Sequence, residues 1–177
     1  MLFRMIITRH GVWHVLIAGA LCAAAVAGLW KLADSAGWAW GLLMVLPLVL
    51  FGWVVWFFRD PNRVPTDPAG RSIISSADGK VTDVTPLGPD SELGCEGLRI
   101  GVFMSVFSVH VNRMPLSGTI TKVQHRPGVF MDVRDPVAAE RNESVSVSLD
   151  HERNGKTFPV VVRQIAGLVA RRIVCQW

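Results

Sequence analysis

Residues 144–162 read SVSVSLDHERNGKTFPVVV, and this stretch defines the fold most clearly. Its first seven residues alternate strictly between polar and apolar side chains, which is typical of a half-buried β-strand. The dipeptide Asn154-Gly155 is a signal for a two-residue turn, and a second run rich in β-branched residues follows it. The stretch therefore predicts an antiparallel β-hairpin.

The sequence on the N-terminal side of this hairpin also favours β-structure. A turn at Asp78-Gly79 precedes a short strand, and residues 98–111, LRIGVFMSVFSVHV, have the few polar breaks of a buried strand. Pro127-Gly128 marks a further turn. The fold class that we predict is mainly β, with an antiparallel β domain over residues 71–177.

Two apolar blocks precede this domain. Residues 12–30 are interrupted only by His14, and residues 38–58, WAWGLLMVLPLVLFGWVVWFF, carry no charge. About 20 residues rising 1.5 Å each match the ~30 Å hydrocarbon core of a bilayer. A signal peptide explains the first block less well, because a second block follows at once. We predict a transmembrane helical hairpin over residues 1–58 and a proline-rich linker over 59–70.

Basic residues are concentrated on one side of the predicted hairpin, since the short turn on the other side holds only Lys31, beside Asp34. The flanking arginines are Arg4, Arg9, Arg59, Arg63 and Arg71. The positive-inside rule then places both termini and the β domain on the cytoplasmic face of the cell (inner) membrane. A net charge of +4 suits an anionic membrane surface as partner. Nucleic acid is a poor partner, since the basic residues form neither a dense run nor an aromatic-interleaved stripe.

The candidates for chemistry are few. His110 and Asp78 belong to a possible Ser/His/Asp arrangement, but such triads are defined by geometry, which residue types do not supply. The plainer interpretation of His110 is a half-buried strand histidine bonded to a carbonyl, and that of Asp78 is a hairpin turn. His125-Arg126 begins either an anion-binding turn or an ordinary one. No His or Cys lies at metal-ligand spacing, so we expect no metal site.

Five segments, in this order, resemble a known family. From about Phe57 to Cys175 the chain closely resembles phosphatidylserine decarboxylase in its short, membrane-anchored bacterial and archaeal form. The segments that carry the resemblance are FFRDPNRVP (57–65), ISSADGKV (74–81), FMSVFSVHVNRMPLSG (103–118), QHRPGVF (124–130) and VVVRQIAGLVARRIVC (160–175).

The resemblance implies a carboxy-lyase with a covalent pyruvoyl group as cofactor. Members of the family cleave themselves at a Gly-Ser bond, and the serine becomes the pyruvoyl group of the C-terminal chain. This group forms a Schiff base with the serine headgroup of phosphatidylserine and serves as the electron sink for the loss of CO₂, which yields phosphatidylethanolamine.

The resemblance also implies roles for particular residues. Asp78 matches the aspartate of self-cleavage, and His110 matches the histidine that acts as base toward the serine hydroxyl. Many relatives carry a second histidine where this chain has Arg113. Either His110 serves both steps, or Arg113 holds the carboxylate or phosphate of the substrate. His125 and Arg126 are further candidates for substrate binding.

The family's Gly-Ser motif is absent from this sequence. None of the 16 glycines is followed by serine, so the pyruvoyl-forming residue is not among the 177 residues. We expect a C-terminally incomplete decarboxylase that is inactive alone, through truncation, a frameshift after Cys175, or a separate pyruvoyl-bearing C-terminal chain. Two alternatives remain: a catalytically dead membrane-anchored module that binds lipid or a partner, and a different enzyme that uses Lys80 or Lys122 as an imine-forming amine.

Overall fold

A computed structural model describes residues 5–32, 38–64 and 72–176 of the chain. The chain divides into two compact units. The helical unit comprises residues 1–64 and 104–111, and the β unit comprises residues 65–103 and 112–177. The predicted turn of the hairpin and the second half of the predicted linker lie largely outside the described residues, as do Arg4 and Arg71.

The helical unit contains the two predicted long helices, α1 (Val12–Leu32) and α2 (Trp38–Phe57). Both are long and apolar enough to cross a membrane. Their large side chains point outward, and Leu21 and Leu46, for example, are 67% and 60% exposed. A helix that is apolar on all sides and not covered by protein differs from the core helix of a soluble domain. The predicted bounds of 12–30 and 38–58 agree with the structure to within two residues.

Small residues allow the two arms of the helical hairpin to pack closely, both at its open end and along the helices. A Cβ atom added at Gly11 would lie 2.5 Å from the ring of Phe58, and one at Gly19 would lie 3.3 Å from Phe51. A short antiparallel sheet of β1 (Met5–Ile7) and β2 (Arg59–Pro61) joins the two ends of the hairpin. The predicted linker therefore begins as a strand of the helical unit.

The β unit contains a three-stranded antiparallel sheet of β5 (Thr119–Arg126), β6 (Ser144–Arg153) and β7 (Lys156–Ile165), in that order. The turn between β6 and β7 has φ angles of 53° at Asn154 and 71° at Gly155. This left-handed pair matches the right-handed twist of the flanking strands. The predicted hairpin is thus confirmed, and the predicted alternation places the apolar residues of β6 in the core, namely Val145, Val147 and Leu149.

A two-stranded antiparallel ribbon of β3 (Lys80–Leu87) and β4 (Gly97–Phe103) completes the described sheets. Val84 lies opposite Ile100 on one face, and each side chain is 57% exposed. The strand predicted over 98–111 ends at Phe103, so the prediction is wrong for its last eight residues. A two-stranded ribbon is marginal by itself, and this apolar face is available for a further covering element.

A buried asparagine holds the loop before β6. Asn142 directly follows the short helix α3 (Ala138–Arg141) and is fully buried. Its side-chain amide donates hydrogen bonds to the carbonyls of Met131 (3.0 Å) and Ala166 (2.9 Å) and accepts one from the N–H of Met131 (2.9 Å). The side chain thus replaces backbone partners that this irregular segment lacks.

Candidate active site

The segment that contains His110 begins with a tight turn. The N–H of Ser108 donates to the carbonyl of Ser105 at 2.9 Å, and the N–H of Ser105 donates to the Ser108 hydroxyl at 3.1 Å. The Ser105 hydroxyl also accepts from the N–H of Phe107 at 3.3 Å. Serine side chains that bond nearby backbone groups compete with strand pairing. The turn therefore interrupts the apolar run that predicted a continuous strand.

This turn is attached to the C-terminal end of α2. Arg59 donates to the Phe107 carbonyl through Nη2 (2.9 Å) and to the Trp56 carbonyl through Nη1 (2.7 Å). The indole N–H of Trp56 also donates to the Phe107 carbonyl at 3.2 Å. The Arg59 guanidinium lies 4.0 Å above the Trp56 ring. Arginine at the end of a helix satisfies a carbonyl that has no partner within the helix, and here it holds the turn as well.

These contacts bring His110 against the end of α2. Its ring stacks on Phe57, with ring centroids 4.2 Å apart and an interplanar angle of 27°. Its Nδ1 lies 3.0 Å from the Ser108 carbonyl. Because a carbonyl only accepts, Nδ1 carries the proton and Nε2 is the basic nitrogen. Val109, beside it in the chain, is 2% exposed and anchors the segment.

The environment favours the neutral form of His110. Burial, the largest effect, lowers the pKa of the imidazole below its ordinary value, and the positive charge of Arg59 lowers it further. The hydrogen bond to Ser108 acts in the opposite direction. His110 is therefore a neutral base with a defined tautomer at pH 7. The plainer sequence interpretation was correct about half-burial and the carbonyl partner, although the residue lies outside any strand.

Asp78 and Arg113 belong to the β unit, whereas His110 belongs to the helical unit. The N–H of Arg113 donates to the Ser76 carbonyl at 2.9 Å, and the N–H of Ile74 donates to the Pro115 carbonyl at 3.0 Å. These two bonds place Arg113 alongside the segment that leads to Asp78. Asp78 itself is half-buried, just before β3 begins.

His125 and Arg126 are the last two residues of β5, so their side chains project to opposite faces of the sheet. Nε2 of His125 lies 3.4 Å from a Glu143 carboxylate oxygen. Arg126 donates to the Ala139 carbonyl at 3.0 Å. The two side chains therefore do not converge on one anion, as a binding turn would require.

The two lysines that were candidates for an imine-forming amine are both exposed. Lys80 begins β3 and Lys122 lies in β5. An imine-forming lysine needs a desolvated or strongly perturbed amine, because the ordinary ammonium is not nucleophilic at pH 7. The positions of the two residues do not favour this chemistry.

A comparison with protein families identifies the family of the chain. The family model for phosphatidylserine decarboxylase matches residues 50–177, which is more than half of the chain. The chain belongs to the phosphatidylserine decarboxylase family. The match begins inside α2 and includes Asp78, His110 and Arg113. The resemblance inferred from the five segments is thus confirmed.

The phosphatidylserine decarboxylase family uses a pyruvoyl group as its electron sink. A decarboxylase requires a group that accepts and returns a proton, and His110 presents a basic Nε2 at a half-buried position.

Sequence reasoning missed the residues that position His110. The sequence pattern placed Trp56 and Phe57 at the end of a membrane helix. It placed Arg59 among the basic residues that set the orientation of the hairpin in the membrane. The available signal was FFRDPNRVP, the first segment of the resemblance to the decarboxylase family. Its contact with a histidine about 50 residues away depends on tertiary structure.

Proposed function

We propose that this chain is the membrane-anchored part of a phosphatidylserine decarboxylase of phospholipid biosynthesis, which releases CO₂ from phosphatidylserine and forms phosphatidylethanolamine. The observation that carries the proposal is the neutral His110, stacked on Phe57 at the end of an apolar helical hairpin. A base at that position suits a substrate whose acyl chains stay in a membrane while its headgroup reacts.

His110 moves protons at the reacting centre. Its Nε2 takes the proton from a serine hydroxyl during self-cleavage and holds a proton for the headgroup carbon once CO₂ has left. When bound, the pyruvoyl group supplies the electron sink for that loss. The Ser108 carbonyl and the Phe57 ring keep the imidazole in one tautomer and one orientation during both events.

We assign the remaining sequence candidates to the β unit. Asp78 contributes to self-cleavage, as the family resemblance implies, and Arg113 binds the carboxylate or the phosphate of the headgroup. A guanidinium suits either group, because its planar fork donates two parallel hydrogen bonds. The backbone bonds between residues 74–76 and 113–115 support a joint role, since they tie the two segments together.

The hairpin supports membrane anchoring, with the β unit on the cytoplasmic face of the inner membrane. Arg9 and Arg59 lie at the end of the hairpin from which the chain continues to the β unit. Positively charged residues favour the cytoplasmic side of a membrane. In that orientation His110 lies at the interface where an anionic headgroup is located.

The pyruvoyl group must come from a residue outside this sequence, because no glycine here precedes a serine. A second polypeptide that bears it fits the exposed apolar face of the β3–β4 ribbon, where Val84, Leu98 and Ile100 are each more than half exposed. The edges of β5 and β7 are a further place for added strands, as these strands flank β6 in the described sheet. The same lack of a Gly-Ser pair favours one alternative, an inactive membrane-anchored module.

Isolation of the chain from the membranes in which it is naturally made tests the proposal, with phosphatidylserine labelled in the serine carboxyl as substrate. We expect the isolated material to release labelled CO₂ and the recombinant 177-residue chain to release none. His110→Ala should lower the rate by about 100-fold or more, the usual contribution of a general base. His151→Ala is the matched control, because His151 also bonds a backbone carbonyl through Nδ1.

Two results would count against this function. Membrane-derived material that binds phosphatidylserine without releasing CO₂ would establish the inactive module instead. An equal loss of rate in the His110 and His151 variants would show that the effect comes from folding and not from a base.

A further inference from the structure

One face of the three-stranded sheet concentrates basic side chains. Arg126 on β5 lies opposite Ser144 of β6, and Ser146, two residues further along β6, lies opposite Arg163 of β7. Directly paired residues share a face, and so do alternate residues of one strand. Arg126 and Arg163 therefore project from the same face of the sheet, on either side of β6.

The two guanidinium groups meet at one atom. Nη2 of Arg126 donates to the Ala139 carbonyl at 3.0 Å, and Nη2 of Arg163 donates to the same oxygen at 2.9 Å. Ala139 belongs to α3, which lies in the loop between β5 and β6. The shared acceptor keeps two cationic groups side by side, an arrangement that repulsion between like charges opposes.

Nearby carboxylates neutralise only part of the positive charge of this arginine pair. Arg163 approaches Glu92 at 3.4 Å, while its buried Nε has no partner within the described residues. Arg99, which adds to the positive charge near Arg163, is paired with Asp83 at 3.2 Å.

Burial, followed by the charge of Arg126, lowers the pKa of the Arg163 guanidinium. Glu92 and Glu140 offset part of this effect. Among the described residues, Arg126 lies within ion-pair distance of no carboxylate. The pair thus retains donors and positive charge that a bound anion would satisfy.

We propose that Arg126 and Arg163 form a binding site for a phosphate group, presented by the headgroup of an anionic phospholipid or by free phosphate. Two adjacent guanidinium forks suit the several oxygens of a phosphate, and such charge-assisted bonds strengthen where water is partly excluded. An anion between the forks also removes their mutual repulsion. The site deepens the proposed function, on which it rests, because phosphatidylserine carries this group. It assigns to Arg163 a role in recognition.

Arginine side-chain NMR tests the site directly. The full chain in nonionic detergent, with ¹⁵N-labelled arginine Nε, is titrated at constant ionic strength with dihexanoyl-phosphatidylserine, with dihexanoyl-phosphatidylcholine or with inorganic phosphate. We expect a saturable shift of the Arg163 Nε resonance. Arg126→Gln should weaken binding by about tenfold or more, the equivalent of one charge-assisted hydrogen bond. Arg134→Gln, which removes an exposed arginine paired with Asp132, should leave the affinity unchanged.

The arms of the titration separate the two sources of phosphate. Tighter binding of phosphatidylserine than of inorganic phosphate assigns the site to the lipid headgroup, whereas equal affinities assign it to phosphate alone. A shift that never saturates, or an equal loss of affinity in the Arg134 variant, would overturn the site. Retained backbone amide resonances of β6 in the Arg126 variant show that the sheet is intact. The titration measures binding and does not depend on CO₂ release. Failure of the phosphate site and failure of the decarboxylase proposal are therefore observed in different experiments.

Discussion

Replacement of Arg59 by methionine should release the turn that carries His110. Methionine keeps an unbranched apolar side chain of similar length but removes every donor and the charge. In the native chain Arg59 bonds the carbonyls of Phe107 and Trp56 and stacks on the Trp56 ring. The bond to Phe107 links residues 104–111 to the end of α2 within the helical unit, whereas the contacts with Trp56 hold the guanidinium in place.

The size of the effect follows from those contacts. The bond to the Phe107 carbonyl is the Arg59 contact that opening of the turn breaks, and a hydrogen bond from a charged donor contributes about 1.5 to 3 kcal/mol. The turn should therefore be destabilised by about 1.5 to 3 kcal/mol, which is a change of about 13-fold to 160-fold in its opening equilibrium. The indole N–H of Trp56 still reaches Phe107 in the variant, so opening should remain partial.

Amide hydrogen exchange of the full chain in detergent measures this equilibrium. The reporter is the N–H of Ser108, which bonds the Ser105 carbonyl at 2.9 Å inside the turn. We expect its protection to fall by about tenfold or more in Arg59→Met and to stay unchanged in Arg9→Met, which removes an exposed arginine of the same unit. Unchanged protection of Ser108 in the Arg59 variant, or equal loss in both variants, would refute the reasoning.

Two further predictions concern ionisation and the loop before β6. The pKa of His110 is lowered in the folded chain, so protonation favours the unfolded state, and stability should decrease as pH falls through the ordinary value of 6.5 toward the lower folded value. An NMR titration should show a midpoint for His110 below 6.5 that rises in Phe57→Ala; a midpoint above 6.5 would contradict this. Asn142→Ala removes the partner of three backbone groups, the N–H and carbonyl of the part-buried Met131 and the carbonyl of the buried Ala166, and should destabilise the β unit by about 3 kcal/mol or more. Amide exchange at Ala166 should then be faster, and an unchanged rate there would contradict the prediction.

Regular elements could be predicted because their signals are local. Residues 144–162 specify a hairpin through period-two alternation and a dipeptide that accepts positive φ, and the structure places the turn at that dipeptide. The signal for the helical hairpin is equally local, since the length of each block and its uninterrupted apolar composition predict it. The strand predicted over 98–111 is wrong beyond Phe103, because the apolar pattern conceals two serines whose hydroxyls bond the backbone of a turn.

The sequence alone determined the two apolar helices, the β-rich remainder, the family and the candidacy of His110, since each depends on periodicity, composition or ordered motifs. It also determined that no serine follows a glycine within the 177 residues. Tertiary structure decided which nitrogen of His110 is basic and why its pKa is low, because both follow from Phe57, Arg59 and a carbonyl that the fold brings to the ring. The pairing of Arg126 with Arg163 is likewise tertiary, since it depends on the register of three strands.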